Sequence, residues 1–144
     1  MRNLLNDKRI KSCEKVSALL DRMRPRKENP MAEYEWIKEF PGAATVCDKA
    51  GVIFEMNDKA ILTFEADGGA ALIGKNILDC HPEPARTKLR DIMAARRTNV
   101  YTIEKKGVKK LVYQAPWTHQ GRYRGFVELV LEIPFEMPHF VREG

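Results

Sequence analysis

Cys80 and His81 are adjacent in the sequence, and both side chains are good metal ligands. Adjacent residues rarely converge on one metal ion, and no third ligand lies within sequence reach. His119 falls in a predicted hairpin turn and His139 in the C-terminal tail, where exposure to solvent is the simpler interpretation. The pattern therefore predicts no metal site.

The three cysteines, Cys13, Cys47 and Cys80, are an odd number without CxxC spacing, so neither a disulfide framework nor a zinc site is indicated. Buried thiols are the expected role. No serine nucleophile elbow, phosphate loop or pair of carboxylates at catalytic spacing occurs in the chain. The sequence therefore predicts a protein that is not an enzyme.

The chain has 144 residues, 44% of them hydrophobic, which suits one domain with an accessory segment. No apolar run reaches the length of a membrane span, and the N terminus lacks the apolar run of a signal peptide. We therefore expect no membrane partner and a cytoplasmic location.

The positive charge is concentrated at the N terminus. Residues 1–27 hold nine Lys and Arg against three Asp and Glu, whereas the rest of the chain is nearly neutral. Within this basic arm the apolar residues recur at helical spacing, at Cys13, Val16, Leu20 and Met23. The stripe is too short for a free coiled coil, so we expect it to pack on the same chain's sheet or on the same helix of a second copy.

The remaining sequence combines strand patterns with helix patterns. Ala43 to Cys47 and Val52 to Met56 flank turn residues and predict a β-hairpin, and Asn57 is placed to cap the next helix. The other predicted elements are a short helix over 32–40, a helix from near Pro84 to Arg97, and three antiparallel strands over 100–105, 109–117 and 123–133.

This order of elements resembles the PAS family over residues 33–133. The resemblance rests on Asn57 opening the first inner helix, on Gly74-Lys75-Asn76 before the central helices, and on Gly125 followed seven residues later by Glu132 and Ile133. It implies an α+β fold in which a five-stranded antiparallel sheet carries helices on one face and ligands lie between them. An amphipathic N-terminal helix precedes this fold.

The predicted division is a basic helix and linker over 1–30, a PAS domain over 31–134 and a C-terminal tail over 135–144. By analogy with PAS closing strands, Phe126, Glu128 and Val130 point into the cavity. The neighbouring strand would add Tyr113, Ala115 and Trp117. The other candidates for the cavity, which are more often plain core than ligand contacts, are Val46, Phe54, Ile61, Ile77, Leu89, Ile92, Tyr101 and Ile103.

Glu128 is the unusual residue of this set, because a carboxylate that faces an apolar cavity needs a partner. It orients a polar ligand, bonds Tyr113 or pairs with a nearby Lys or Arg. The remaining alternative is that the assigned strand parity is wrong by one residue.

The resemblance also bears on cofactors, although the cofactor itself stays unknown. In flavin-binding LOV domains a photoreactive cysteine stands where this chain has Ile77, so LOV-type photochemistry is disfavoured. In oxygen-sensing haem PAS domains a Pro-Glu-Pro segment precedes a helix with a proximal histidine. Here Pro82-Glu83-Pro84 is present but Leu89 occupies that position, so haem held by a proximal histidine is disfavoured.

The expected function is that of a bacterial-type regulator, a PAS sensory domain that binds a small molecule or a protein partner and forms a homodimer. One alternative is an interaction and dimerisation module without a ligand. A second, a nucleic-acid-associated regulator using the basic arm, is disfavoured because no recognition-helix pattern follows. No output module follows Pro134, so the signal is expected to pass to a separate signalling protein unless the chain is part of a longer one.

Overall fold

The computed structural model describes residues 35–144. The predicted helix with the dimerisation candidates Cys13, Val16, Leu20 and Met23, and the whole predicted segment 1–30, lie outside the described residues. Among residues 35–144, no helix is long and apolar enough to span a membrane.

Five strands form one sheet. They are β1 (Ala43–Asp48), β2 (Ile53–Met56), β3 (Asn99–Lys105), β4 (Val108–His119) and β5 (Arg122–Glu132). Their order across the sheet is β2-β1-β5-β4-β3, and each neighbouring pair is antiparallel. The sheet confirms the predicted α+β fold, and β1 and β5, the first and last of these five strands, are neighbours in it.

The helices are short and lie mostly between β2 and β3. They are α1 (Glu35–Lys38), α2 (Asp58–Thr63) and α3 (Ala85–Ala95), with 3-10 turns at Glu65–Asp67, Gly69–Leu72 and Ile77–Cys80. In α1 the helical conformation ends before the predicted Phe40. Pro84 is the N-cap of α3, and Arg96 ends the helix in the left-handed conformation.

Two tight hairpins connect the last three strands. Lys106 and Gly107 have φ values of 52° and 73°, and Gln120 and Gly121 have values of 51° and 72°. Positive φ at both central residues gives a turn whose twist matches that of the flanking strands. The glycines at the second positions make these turns accessible at low cost, and the turns bring β3, β4 and β5 side by side.

One face of the sheet, which we call the inner face, packs against the helices and forms the core. Phe126 and Cys47 are its most deeply buried large side chains, and Ala60, Leu89 and Ile92 cover them from the helices. The opposite face, the outer face, carries partly exposed apolar side chains. The sheet therefore has apolar residues on both faces.

Asn57 joins three elements at the edge of the core, and its side chain is 3% exposed. Its Oδ1 atom accepts hydrogen bonds from the backbone N–H groups of Ala44 and Ala60, both at 2.9 Å, and thus caps α2 as predicted. Its Nδ2 atom donates to the carbonyl oxygens of Ile37 at 3.0 Å and Gly42 at 2.8 Å. One amide therefore holds α1, β1 and α2 together.

Candidate functional site

A row of polar side chains crosses the inner face of the sheet. Thr45 of β1 lies opposite Glu128 of β5, Glu128 lies opposite Gln114 of β4, and Gln114 lies opposite Asn99 of β3. Residues directly opposite in antiparallel strands point to the same face, with Cβ atoms about 5 Å apart. We call Thr45, Glu128, Gln114 and Asn99 the polar row.

Hydrogen bonds connect three of the four members in one direction. Asn99 Nδ2 donates to Gln114 Oε1 at 2.8 Å, and Gln114 Nε2 donates to Glu128 Oε2 at 2.6 Å. Among residues 35–144, no Lys or Arg forms an ion pair with Glu128. The partner of Glu128 is thus Gln114, and neither the predicted bond to Tyr113 nor a basic partner occurs in this part of the chain.

The row is interrupted between Glu128 and Thr45. Thr45 is 5% exposed, and its Oγ1 atom is the one buried side-chain oxygen or nitrogen within residues 35–144 that has no hydrogen bond. Leaving a buried hydroxyl unpaired costs about 1 to 3 kcal/mol. This place in the sheet therefore has unused hydrogen-bonding capacity.

A cavity of about 70 Å³ lies against this gap. Thr45 and Glu128 form its polar wall, and the exposed Asp67 also borders it. The other lining residues are Ile53, Met56, Phe64, Leu72, Ile77, Cys80 and His81. A cavity needs about 10 to 15 Å³ to hold one water molecule, so this space admits water or a small polar group. The wall contains two carboxylates and neither lysine nor arginine.

A wider cleft of about 330 Å³ lies on the inner face between α3 and β3. Leu89 and Ile92 of α3 and Tyr101 of β3 give it apolar walls, and Asn99 and Gln114 bring the polar row to it. His81 borders both the cleft and the cavity. The two spaces are therefore neighbours, and the polar row runs from one to the other.

The charge of Glu128 affects groups around both spaces. Burial raises the pKa of Cys80, and the carboxylates of Asp67 and Asp79 raise it further. Lys75 lowers this pKa, and Glu128 adds the smallest rise. Burial also raises the pKa of Tyr101, with an added contribution from Glu128. In both groups burial is the largest cause, and the carboxylate of Glu128 adds to it.

The side chains of His81 and Cys80 each contact a backbone carbonyl oxygen four residues earlier, at the 3-10 turn Ile77–Cys80. The His81 Nδ1 atom lies 2.8 Å from the carbonyl oxygen of Ile77, and the Cys80 thiol lies 3.9 Å from that of Asn76. Within residues 35–144, no three His, Cys, Asp or Glu side chains are grouped so that they could hold a metal ion.

Most of the predicted cavity residues do lie on the inner face or in the core beneath it. Phe126, Glu128 and Val130 are buried there, and Glu128 borders the cavity. Ile77 lines the cavity, whereas Leu89, Ile92 and Tyr101 line the cleft. Ile61 packs against the core, and Ile103 shares the face of Tyr101 but is 40% exposed. Whether any of them binds a ligand stays a prediction.

The predicted orientation of Tyr113, Ala115 and Trp117 is wrong. The register of β4 places its even-numbered residues Val112 and Gln114 opposite Val130 and Glu128, and therefore on the inner face. A shift of one residue moves every side chain of a strand to the other face. The odd-numbered residues of β4 consequently belong to the outer face.

Val46 and Phe54 are also on the outer face, contrary to the prediction. Val46 is opposite Val127, which alternates with the buried Phe126 and Glu128. Phe54 is the extra residue of an irregularity in the β1–β2 pairing, where Val46 pairs with Glu55 and Cys47 with Ile53. The bulge turns the Phe54 ring outward, where it is 47% exposed.

The outer face carries a groove of about 450 Å³ near β1 and β2. Its walls are largely apolar: Trp36, Ile37, Ala44, Val46, Phe54 and Trp117, with Glu55 and Asn57. The rings of Phe54 and Trp117 are 5.9 Å apart, and the indole nitrogen of Trp117 donates to the carbonyl oxygen of Cys47 at 3.0 Å. Trp36 is 67% exposed, so the groove is open at one side.

Sequence reasoning missed Thr45, Gln114, Asn99 and Asp67 as site residues. A signal existed for Gln114, because a polar residue between apolar neighbours of a strand is best placed beside another polar group. Lys110, Val112 and Gln114 compete with Leu111, Tyr113 and Ala115 for the inner face, and the second set is the more apolar. The register that decides between them is a long-range property.

No protein-family model matches this chain, and no curated protein matches it. Among solved structures, a C-terminal domain from Streptococcus mutans is similar, with a TM-score of 0.55 and 20% identity, over 67% of this chain and 78% of that one. The Aer2 receptor from Vibrio cholerae, described as a dual PAS-heme oxygen sensor, has a TM-score of 0.53 and 19% identity, over 65% of this chain and 95% of that one. The PAS domain of BvgS from Bordetella pertussis has a TM-score of 0.52 and 21% identity, over 74% of this chain and 88% of that one.

Proposed function

Because residues 35–144 have the PAS fold, we propose that this chain is a sensory domain in signal transduction whose inner cavity binds a small polar molecule. The observation that carries the proposal is the gap in the polar row. Within the part of the chain that the structure describes, a buried hydroxyl without a hydrogen bond lies opposite a buried carboxylate without a basic partner, and both border an open space. A ligand that bonds both groups would remove the cost of leaving them unpaired.

The proposed role is binding and not catalysis. Both described cysteines have a raised pKa, caused mainly by burial, which disfavours the thiolate that a nucleophile needs. A cavity with one free hydroxyl and a carboxylate held by an amide suits recognition of hydrogen-bonding groups.

The signal would pass through the central strands. Thr45 and Glu128 lie on β1 and β5, and the opposite face of these strands carries Val46 and Val127, with Val46 in the outer groove. The pair of strands β1 and β5 is proposed to have two alternative packings. A ligand that bonds Thr45 and Glu128 stabilises one packing, and a partner on the outer face binds one packing more tightly than the other. The proposed partner is a separate signalling protein in the cytoplasm.

The test of ligand binding uses the full chain with Cys13→Ser, so that Cys47 and Cys80 are the remaining thiols. Native mass spectrometry is expected to detect a bound small molecule, or a thermal-shift screen of small polar compounds is expected to find one that stabilises the protein. Cys80 borders the cavity, whereas Cys47 is fully buried in the core. The compound should therefore slow alkylation of Cys80 more than alkylation of Cys47, which it can slow only by stabilising the fold. The absence of both a bound mass and a stabilising compound contradicts the proposal.

A second candidate function, self-association without a ligand, is favoured by the open groove on the outer face. Monomeric proteins rarely leave aromatic residues such as Trp36 and Phe54 exposed together without a binding role. The proposed occupant is a second copy of this chain, joined through this groove and through the predicted stripe of residues 13–23. In this form the domain is a dimerisation module.

Light scattering of the full chain tests this candidate. A dimer is expected, and both removal of residues 1–27 and Phe54→Ser are expected to give monomers. Val100→Ser is the matched control, because Val100 is 49% exposed on the edge strand β3, away from the groove. A monomeric full chain, or a dimer that survives both changes, contradicts self-association through these surfaces.

A further inference from the structure

We infer that the molecule bound at the gap in the polar row is a small organic cation with N–H donors, such as a primary ammonium or an amidinium compound. This inference rests on the proposed function, and it names the class of ligand for the same cavity.

The charges around the cavity favour a cation. Glu128 is 7% exposed and has no basic partner within residues 35–144, and Asp67 adds a second carboxylate to the lining. Opposite charges attract far more strongly in a poorly hydrated site than in water. An anionic ligand would be repelled by both carboxylates, and a neutral one would leave the charge of Glu128 uncompensated.

The hydrogen-bonding groups at the gap favour a donor. Glu128 Oε2 already accepts from Gln114, whereas the second oxygen, Oε1, accepts no hydrogen bond from the described residues. The Thr45 hydroxyl oxygen, opposite on β1, is also free to accept. An ammonium group carries three N–H donors and no acceptor, so it can bond to both oxygens. Bonds from a cation to a carboxylate are the stronger kind.

The sizes of the two spaces limit the rest of the molecule. The cavity of about 70 Å³ accommodates a compact head group, and the neighbouring cleft of about 330 Å³ accommodates a short apolar body beside Leu89, Ile92 and Tyr101. Lys88 also borders the cleft, with its Nζ atom 5.6 Å from the centre of the Tyr101 ring. This lysine disfavours a second positive charge on the body. The expected ligand is therefore a monocation.

The experiment measures binding of n-butylammonium, of acetamidinium, of the neutral 1-pentanol and of the anion butyrate to the full chain. Amide chemical shifts of Thr45, Gln114 and Glu128 in the nitrogen-15 NMR spectrum report on the site, and calorimetry gives the affinity. We expect the two cations to shift these signals in a saturable way and the alcohol and the anion to have at least tenfold weaker effects.

Two variants assign the effect to the gap. Glu128→Gln preserves shape and is expected to weaken binding of the cations at least tenfold, and Thr45→Val about threefold. Glu104→Gln is the control, because Glu104 is exposed on β3, and it should change affinity less than twofold. Folding of each variant is checked by its thermal transition, and Thr45→Val carries the test if Glu128→Gln does not fold.

The outcomes separate the class of ligand from the existence of the site. If pentanol or butyrate instead shifts the same amides, with an affinity that Glu128→Gln does not lower, the inference that the ligand is a cation is overturned. That result retains the small-molecule site. If only the amide signals of exposed Asp and Glu residues shift, the cations bind nonspecifically, and the inference is also overturned. If no probe moves the three amides and no mass is bound in native spectra, both the inference and the proposed function fail.

Discussion

Asn57 and the Thr45–Glu128 pair are buried polar groups of the same domain, yet their hydrogen bonding is opposite. Asn57 uses both side-chain atoms, with bonds to backbone groups of α1, β1 and α2. Within residues 35–144 the Thr45 hydroxyl makes no hydrogen bond, and the Glu128 carboxylate accepts one, from Gln114. The first site is satisfied by the protein itself, whereas the second has unused hydrogen-bonding capacity among residues 35–144.

Hydrogen bonding separates the buried polar group that joins elements of the fold from the pair with unused capacity. Burial alone does not, because Asn57, Thr45 and Glu128 are 3%, 5% and 7% exposed. The distinguishing property is the contribution of each group to the free energy of unfolding. Buried polar groups with hydrogen bonds stabilise the fold, and buried polar groups without them destabilise it. Substitutions in the ligand-free protein should therefore change stability in opposite directions at the two sites.

The largest change is expected at the satisfied site. Asn57→Ala removes a helix cap and leaves buried N–H and carbonyl groups unpaired, which should lower the free energy of unfolding by about 3 kcal/mol. Denaturation by urea measures it. Asn76→Ala is the control, because Asn76 is a half-buried asparagine that caps the 3-10 turn Ile77–Cys80, and a loss of about 1 kcal/mol is expected there. Equal losses of unfolding free energy at positions 57 and 76 would contradict the role of Asn57 in joining α1, β1 and α2.

A change of opposite sign is expected from Glu128→Gln. The amide keeps an acceptor for Gln114, removes the uncompensated charge and offers an N–H donor to Thr45. The free energy of unfolding should rise by about 1.5 kcal/mol in ligand-free protein. Chemical denaturation at neutral pH gives the value, with Glu104→Gln expected within about 0.5 kcal/mol of the wild type. Lower stability would mean that the carboxylate already has a compensating partner.

A smaller gain is expected from Thr45→Val. Valine has nearly the same shape and lacks the unpaired hydroxyl, so the free energy of unfolding should rise by about 1 kcal/mol. The same substitution at the exposed Thr118 should have little effect. The thermal midpoints of both variants provide the measurement, and a loss at position 45 would show that the hydroxyl is bonded in solution.

The order of elements was predictable because turn residues, caps and strand patterns are local properties of the sequence. Asn57 could be recognised as a cap, but its bonds to Ile37 and Gly42 could not, since they depend on how distant segments meet. The inward direction of Glu128 followed from the family resemblance alone. In β5 the residues of both faces are apolar, so hydrophobic alternation does not distinguish them.

The orientation of β4 and of Phe54 could not be obtained in this way. Both faces of the sheet carry apolar side chains, which removes the contrast that normally fixes strand parity. The bulge opposite Val46 and Cys47 adds a residue to β2 and reverses the direction of Phe54. The polar row exists only in the assembled register, and its members are far apart in sequence.

Gly125 sets the distance between the two strands that carry the gap. It has a φ of 154°, and a Cβ atom at this position would overlap the carbonyl oxygen of Cys47. That carbonyl also accepts the indole N–H of Trp117, the residue opposite Gly125 on β4. The spacing of the site is thus fixed by a residue without a side chain, whereas its chemistry is fixed by the side chains at positions 45, 114 and 128. We therefore expect that substitutions along the row change its hydrogen-bonding chemistry without rebuilding the sheet, as long as position 125 stays glycine.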